Sequence, residues 1–505
     1  MIEDILVGLV SILNPASIAA IAFGLIVGLL FGSIPGISGI MAISILLPLT
    51  FYVSPLVGIP MLLGIYKAGI YGGSITAVLL NTPGAPPAIC TAMSGFPMAQ
   101  RGQAGKALNA ALVGSVYGDT FSNLLLILVA APISYVAIKI GPAEQFCLIL
   151  LALTVVGSIS GNSILKGMIC AGFGILLSMV GVSGVSGAIR FTFDSDYLLA
   201  GIQLIPMVIG LLCLPEIIHQ VGTCAKNYIT EKIDLKSENG RLTWKEFKQN
   251  FYLLFRSSVI GSIIGAMPGL GASPAAFMAY SDAQRRTKDQ DAFAKGNVEG
   301  ILAPESANNA TTGSAMIPLL TLGIPGDDVT AVLMGAFLIQ GITPGPNIFF
   351  EHTQVVYGIF GSLIICDILL YFIAKFGFKL WIKIVDLPRS LIFSSVTIFA
   401  FLGTYSINQS LFDIFCLICF GIMGYLMRLF HFSAGAMIIG FILGPILEKA
   451  YDQSMSLSKG SYMIFLESPV AVILLVMTVV SMISIYRMRV RKFKKLMEKN
   501  IILEE

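Results

Sequence analysis

The sequence predicts an all-α polytopic membrane protein made of two inverted-topology repeats. Pro-Gly-broken helices, discontinuous or re-entrant, are expected to meet near the bilayer midplane. Three observations carry this prediction. Of 505 residues, 56% are hydrophobic and only 12% charged, whereas a soluble domain is about 25% charged. Apolar stretches long enough for a hydrocarbon core of about 30 Å recur along the chain. Two Gly/Pro motifs interrupt these stretches and appear twice, in the same order.

The amino terminus carries Glu3 and Asp4 and no basic residue before Lys67. It lacks the positive flank and cleavage site of a signal peptide and is placed outside. The first apolar region, Ile18–Phe31, runs into Gly32-Ser-Ile-Pro35-Gly36-Ile-Ser38-Gly39. Gly72-Gly73-Ser74 follows, then Asn81-Thr82-Pro83-Gly84. The stretches Ala107–Ala131, Cys147–Ser160, Met168–Val182 and Leu198–Ile218 complete a first membrane repeat, residues 1–222. Residues 223–253 read as a basic cytoplasmic linker, with Lys226, Lys232, Lys236, Arg241, Lys245 and Lys248.

The second repeat is placed at 254–486. Its first apolar region, Val259–Tyr280, contains Gly265-Ala-Met-Pro268-Gly269-Leu-Gly271-Ala272, in which Pro268 comes 233 positions after Pro35. The polar stretch from Ala303 to Asp328 then places Glu305, Asn308, Asn309, Thr311, Thr312 and a Gly323-Ile-Pro325-Gly326 break among apolar neighbours. Thr312-Gly313-Ser314 is matched to Gly72-Gly73-Ser74. Further spans are Val355–Phe376, Leu391–Tyr405, Leu411–Leu426, Met437–Leu447 and Pro469–Tyr486, and residues 487–505 form a basic cytoplasmic tail.

Lys and Arg gather on the cytoplasmic side, and the two copies differ in charge accordingly. The acidic terminus precedes the first break, and a basic loop (226–256) precedes the second. Lys67 alone follows the first break, whereas the second is followed by Arg285, Arg286, Lys288 and Lys295. Beyond the second motif the bias reverses: Arg101 and Lys106 against Glu351 and His352. Opposite bias in matching loops is what inverted repeats require, and paired broken segments point to a transporter's binding site.

The chemistry suits an anion. Irregular backbone survives at membrane depth only where it is buried in protein or lines a cavity. A helix restarted after Pro-Gly offers free N–H groups and a positive dipole end to a carboxylate. The candidate substrate- and ion-binding residues are Pro35, Gly36, Ser38, Asn81, Thr82, Pro83, Gly84, Pro268, Gly269, Gly271, Asn308, Asn309, Thr312, Pro325, Gly326 and Asp327. Glycines let backbone approach the ligand, while the hydroxyls and amides orient carboxylates. Asp327 reads equally as a cation ligand or proton carrier and as a helix N-cap. Glu305 is either an ion-site carboxylate or the partner of a cytoplasmic basic group, and Asp282 a solvated loop residue. Arg190 is read as an interfacial anchor or a partner of Asp194 or Asp196, ahead of a carboxylate-holding role. The eight cysteines are scattered through apolar segments, and Cys416 and Cys419 read as packing residues; no disulfide, catalytic or metal site beyond a transported Na⁺ is predicted.

Two rivals follow from the same residues. Gly181-Val-Ser183-Gly184 and Gly184-Val-Ser186-Gly187 match a serine-protease pattern with His219 or His431 as base, but Gly36-Ile-Ser38-Gly39 matches too. An organic-anion channel is the other. The duplicated breaks argue against a protease, which needs one nucleophile, while only accumulation against a gradient separates a carrier from a channel; the expectation is a carrier and not an enzyme.

Several stretches together resemble the TctA family, the large membrane subunit of tripartite tricarboxylate transporters. They are GSIPGISG (32–39), YGGSITAVLLNTPGAPPA (71–88), GFPMAQRGQAGKAL (95–108), RFTF (190–193), GAMPGLGASPAA (265–276), APESANNATTGSAMIPLLTLGIPGD (303–327) and LGPILE (443–448). The resemblance implies secondary uptake of citrate-like organic acids across a prokaryotic cytoplasmic membrane, driven by Na⁺ or H⁺. It also implies a small TctB-like membrane subunit, an extracytoplasmic TctC-like binding protein, no other cofactor and no nucleic acid, with homo-oligomerisation open. The chain departs from the family near Lys449-Ala-Tyr-Asp452 and at Glu467, where basic residues are common in the family.

Overall fold

The computed structural model describes residues 2–34, 38–159, 164–223, 242–287, 293, 295–384 and 389–483. Most of the predicted linker, Lys288 and the basic tail therefore lie outside the described residues, as do Pro35 and Gly36.

The chain is an all-α polytopic membrane protein. Among the described residues, six helices are long and apolar enough to cross a membrane: Pro15–Gly32, Pro55–Leu80, Ala88–Ala137, Thr353–Phe378, Leu411–Leu429 and Ala434–Leu457. Eight shorter apolar helices accompany them. By internal contacts the chain divides into two units, Met1–Ile138 with Gln203–Leu429, and Lys139–Ile202 with Phe430–Glu505.

The first unit begins with α1 (Ile2–Ile12) and α2 (Pro15–Gly32), whose start is set by Pro15 in the first turn and Asn14, which accepts from the Ser17 amide at 2.8 Å. α2 closes at Ser33, and α3 (Gly39–Leu46) opens after Ser38. α4 (Pro55–Leu80) ends where Asn81 turns left-handed, at φ 52°. After α5 (Ala88–Met98) and α6 (Ala104–Ala137), the chain passes through the second unit and returns as α9 (Leu204–Leu212) and α10 (Leu214–Thr223). The predicted span Leu198–Ile218 is thus two shorter helices, parted at Cys213.

The second half repeats the first. α11 (Trp244–Gln249) leads into α12 (Phe251–Gly265), a break at 266–271, and α13 (Ala272–Arg286). α14 (Glu299–Leu322) ends where Gly323 turns left-handed at φ 69°, and α15 (Asp328–Ile339) follows. α16 (Ile348–Glu351), α17 (Thr353–Ile384), α18 (Arg389–Asn408) and α19 (Leu411–Leu429) complete the unit.

The copies are related by their close contacts. Gly28 and Gly32 of α2 press on α4 at Ile65 and Gly69; 233 positions later, Gly261 and Gly265 of α12 press on α14 at Ala307 and Thr311. Within each half a Pro-Gly turn folds back onto the preceding helix. A Cβ at Gly84 would lie 2.8 Å from Gly73 Cα, and one at Gly326 would lie 2.9 Å from Ala315 Cα. The structural match is therefore Gly72 with Ser314, two residues away from the alignment the motifs suggested.

Direction follows from the same contacts. α2 runs parallel to α4, and α12 and α6 run parallel to α14, with Gly114 and Gly118 of α6 against Leu302 and Ser306. α4 and α14, the equivalent helices, are antiparallel: Ser74 meets Glu305, while Lys67, seven residues earlier, lies at the level of Thr312 through Asp119. Each half thus enters the unit from the opposite end.

The second unit contains α7 (Pro142–Ile159), α8 (Ile164–Ser178), a short antiparallel pairing of β1 (Gly181–Val182) with β2 (Ile189–Arg190), α20 (Ala434–Leu457), α21 (Ile464–Glu467) and the helix Pro469–Ile483. Arg190 pairs here with Glu448 at 2.9 Å, which corrects its assignment to Asp194 or Asp196. Ser183 also donates to Glu448, at 2.9 Å, so that hydroxyl serves the RFTF and LGPILE contact.

Gly118 is a sharp test of this packing, since a Cβ there would run into the backbone carbonyl of Ser306. Gly118→Ala is expected to lower stability by about 1–3 kcal/mol. Gly172→Ala, where nothing lies within 4 Å, should leave it unchanged. Thermal unfolding in lipid nanodiscs compares the two.

Candidate functional site

α14 organises the site. Every residue from Gly300 to Thr321 is buried, Glu305, Asn308, Asn309, Thr311 and Thr312 included. The polar stretch is not itself unwound: it stays helical through Pro304 and Pro318 and breaks only at Gly323. Its polarity is spent on neighbouring helices rather than on loosening its own backbone.

Glu305 sits at its core and is fully buried. Ser74 of α4 (2.5 Å) and Thr91 of α5 donate to Oε1; Ser115 of α6 (2.8 Å) and the Asn309 amide (3.5 Å) donate to Oε2. Among the described residues no basic group pairs with Glu305, so the cage of neutral donors replaces the basic partner that one of its two readings called for.

Two turns along α14 lies a charged cluster that the sequence reading missed. Lys67, placed near a turn from its isolation, is buried inside α4 with no exposed surface. Its ammonium binds Asp367 of α17 and lies 3.5 Å from Asp119 Oδ1 of α6. Asp119 Oδ1 also accepts from Thr312 Oγ1. Asp367 Oδ2 accepts from Asn123 (2.7 Å) and Thr120 (3.2 Å). The overlooked signal was three ionisable residues in apolar segments, which at membrane depth are functional by default. A second monovalent cation about 4 Å from the ammonium would be repelled by roughly 4 kcal/mol at an effective dielectric of 20.

The breaks converge within each half. The Gly269 amide donates to the Gly326 carbonyl at 2.7 Å, and Gly84 abuts the Gly32 carbonyl. Gly269 and Gly271 take φ values of 83° and 65°, which a side chain would strain. Thr82 and Pro83 are half-buried in the first break, where Asn81 is exposed, and Pro268 is half-buried in the second hairpin. Pro325 and Gly326 are buried.

The helix starts after the breaks are not equivalent. α3 follows Ser38 and α13 follows Gly271, and among the described residues neither N-cap makes a side-chain capping bond, which leaves first-turn N–H groups without that partner. α15 is capped: Asp327 Oδ1 accepts from the Thr330 amide at 2.7 Å in a capping box, and Oδ2 accepts from Tyr66 at 2.7 Å. This is the N-cap reading of Asp327, with an added bond across the repeats.

The structure thus places Asn309 in the Glu305 cage and Thr312 with the α4–α6–α17 cluster, and ties Asp327 to α4. Asn308 packs one turn from Glu305 with its Oδ1 unpartnered, and Ser258 and Ser262 of α12 likewise have buried oxygens without partners. Asp282 is not a free loop residue; it lies on α13 and pairs with Arg256 (2.6 Å) and Arg286 (3.1 Å).

The family model described as "Tripartite tricarboxylate transporter TctA family" matches residues 18–439. An "uncharacterized 52.8 kDa protein in TAR-I ttuC' 3'region" of Agrobacterium vitis is 37% identical over 475 residues, 94% of each chain. An "uncharacterized protein in TAR-II ttuC' 3'region" of the same organism is 39% identical over 215 residues, 43% of this chain and 89% of its own length. No solved structure matches the chain.

Lys67→Met should cost about 3–5 kcal/mol, because it leaves two buried carboxylates without their cation. Adding Asp367→Asn should recover part of that loss. A double-mutant cycle by thermal unfolding in nanodiscs measures the coupling, and independent losses would remove the pairing from the account.

Proposed function

The chain belongs to the tripartite tricarboxylate transporter TctA family, and on that premise we propose that it is the substrate-translocating subunit of a secondary active carrier for citrate-like di- or tricarboxylates. One observation carries the proposal. The equivalent hairpin helices α3 and α13, in oppositely directed repeats, both restart after a Pro-Gly break without a side-chain cap. Two such N-termini supply the free N–H groups and positive dipole ends that separate carboxylates of one solute require. Ser38, Asn81, Thr82, Asn308, Asn309 and Thr312 would orient the acid, with Asn308 and the Ser258 and Ser262 hydroxyls offering unfilled hydrogen-bonding capacity.

The driving force is a Na⁺ or H⁺ gradient. An extracytoplasmic binding protein delivers the acid and a small membrane subunit completes the carrier in the cytoplasmic membrane. The repeats are assigned to residues 1–222 and 254–486, with 223–253 and 487–505 cytoplasmic and the amino terminus outside. Charge at one end of the first unit supports this orientation: Lys106 pairs with Glu246 at 2.6 Å, Arg101 donates to the Gly296 carbonyl at 2.6 Å, and Arg256 pairs with Asp282. The Lys106 ammonium beside it holds the Glu246 carboxyl down to about 2.

The test is uptake of labelled citrate, alongside other di- and tricarboxylates, into vesicles holding the chain and both partners. Accumulation against the gradient is expected, and Asn308→Ala should reduce it at least about tenfold, the effect of roughly 1.4 kcal/mol of lost binding. Flux that only equilibrates would replace the carrier by a channel, and no flux of any acid would remove the substrate assignment.

A further inference from the structure

Resting on this carrier reading, we propose that Asp119 carries the coupling proton, with Lys67 as a tethered cation that keeps Asp367 ionised. The charge count comes first. Two carboxylates and one ammonium share a buried cluster, Lys67 and Asp119 with no exposure and Asp367 with 4%. With all three ionised, one negative charge is left over. A buried charge is costly unless it is paired and its oxygens are hydrogen-bonded, and Asp119 Oδ2 has no donor, so the cluster takes up one further positive charge.

The donors divide unequally between the carboxylates. Asp367 is fully engaged, by the Lys67 ammonium on one oxygen and by Asn123 and Thr120 on the other. Asp119 receives the Thr312 hydroxyl on Oδ1 and has the ammonium only at 3.5 Å. Its Oδ2 is buried with no partner. Asn123, one turn along the same helix and bound through its Nδ2 to Asp367, also has a buried Oδ1 without a donor. The cluster therefore lacks a donor on the Asp119 side, and a proton on Asp119 Oδ2 supplies one.

The competing occupant is Na⁺, which would draw on the same carboxylate oxygens. The ammonium already holds the position that bridges them and repels a second cation there. A proton bonded to the oxygen farther from Lys67 avoids that conflict.

The other titratable groups nearby are accounted for. Tyr66, next to Lys67 on α4, donates to Asp327, and Cys366 adjoins Asp367 on α17. Glu305 on α14 is held by its own donors, and on α12 and α13 Arg256 is paired with Asp282. Per transport event one proton enters from the side of higher proton activity, travels on Asp119 Oδ2 with the acid, and leaves on the other side. Lys67 stays protonated throughout.

The test uses the chain with its small subunit and binding protein in lipid. Infrared spectroscopy should find, at neutral pH, a protonated-carboxyl C=O component that vanishes in Asp119→Asn and persists in Glu305→Gln. An Asp119→Asn spectrum superimposable on the native one overturns the proposal, whether or not any acid is transported. In vesicles without Na⁺ and with the potential clamped, an inward gradient of about one pH unit should sustain about tenfold accumulation of labelled citrate at one proton per acid. Any flux that remains in Asp119→Asn should be indifferent to the gradient. Accumulation that follows Na⁺ and ignores the pH gradient overturns the coupling role even if the infrared component is present. Absence of citrate movement under every gradient counts against the substrate reading, and the infrared component then decides the proton's place by itself.

Discussion

A polar side chain at membrane depth finds its partner in protein or pays several kcal/mol. The arrangement of the first unit follows from that constraint. α14 carries a carboxylate, two amides and several hydroxyls on a helix with no face toward lipid. Each neighbour contributes what α14 lacks: Ser74 from α4, Thr91 from α5, and Ser115 and Asp119 from α6. A shift of one turn in any of them would strand a buried group, so the polar contacts set the register of the bundle as well as its chemistry.

Steric contacts fix the distances that the polar contacts need. Gly28, Gly32, Gly261 and Gly265 bring helices together with no Cβ between them, as small residues do in membrane interfaces, where van der Waals packing replaces the hydrophobic drive. That such contacts recur at matching positions in both halves is stronger evidence of duplication than the motifs themselves. Motifs can recur by composition in a chain rich in Gly and Pro. Matching close approaches between matching helices cannot.

Much of this was legible in the sequence. The membrane class, the breaks at Pro83-Gly84, Pro268-Gly269 and Pro325-Gly326, the duplication and its inversion all followed from apolar runs, Gly/Pro spacing and charge bias; Pro35-Gly36 lies outside the described residues. The polar stretch around Glu305 was singled out in the sequence, and it lies buried from Gly300 to Thr321. Other features were obscured for physical reasons. Lys67 looked like a loop charge because single charges in apolar sequence usually mark turns, and only three-dimensional pairing with Asp119 and Asp367 shows why it is tolerated mid-helix. Arg190 has acidic residues close in sequence, yet its partner Glu448 is 258 positions away. Asp327 could be read two ways until the Thr330 capping box was visible. The polar residues before Gly323 stood beside a predicted break, yet tertiary packing keeps them on a buried helix that runs through Pro304 and Pro318.

The two breaks that follow α4 and α14 occupy matching places but different surroundings. Asn81 is exposed and Thr82 to Ala85 are half-buried, whereas Gly323 to Gly326 are wholly buried. In a molecule built of two oppositely directed copies, that difference makes the two turns unequal in their access to the surface. Because each copy carries the same fold in reverse, the proposed carrier would reach an arrangement with access reversed by exchanging the environments of the two turns.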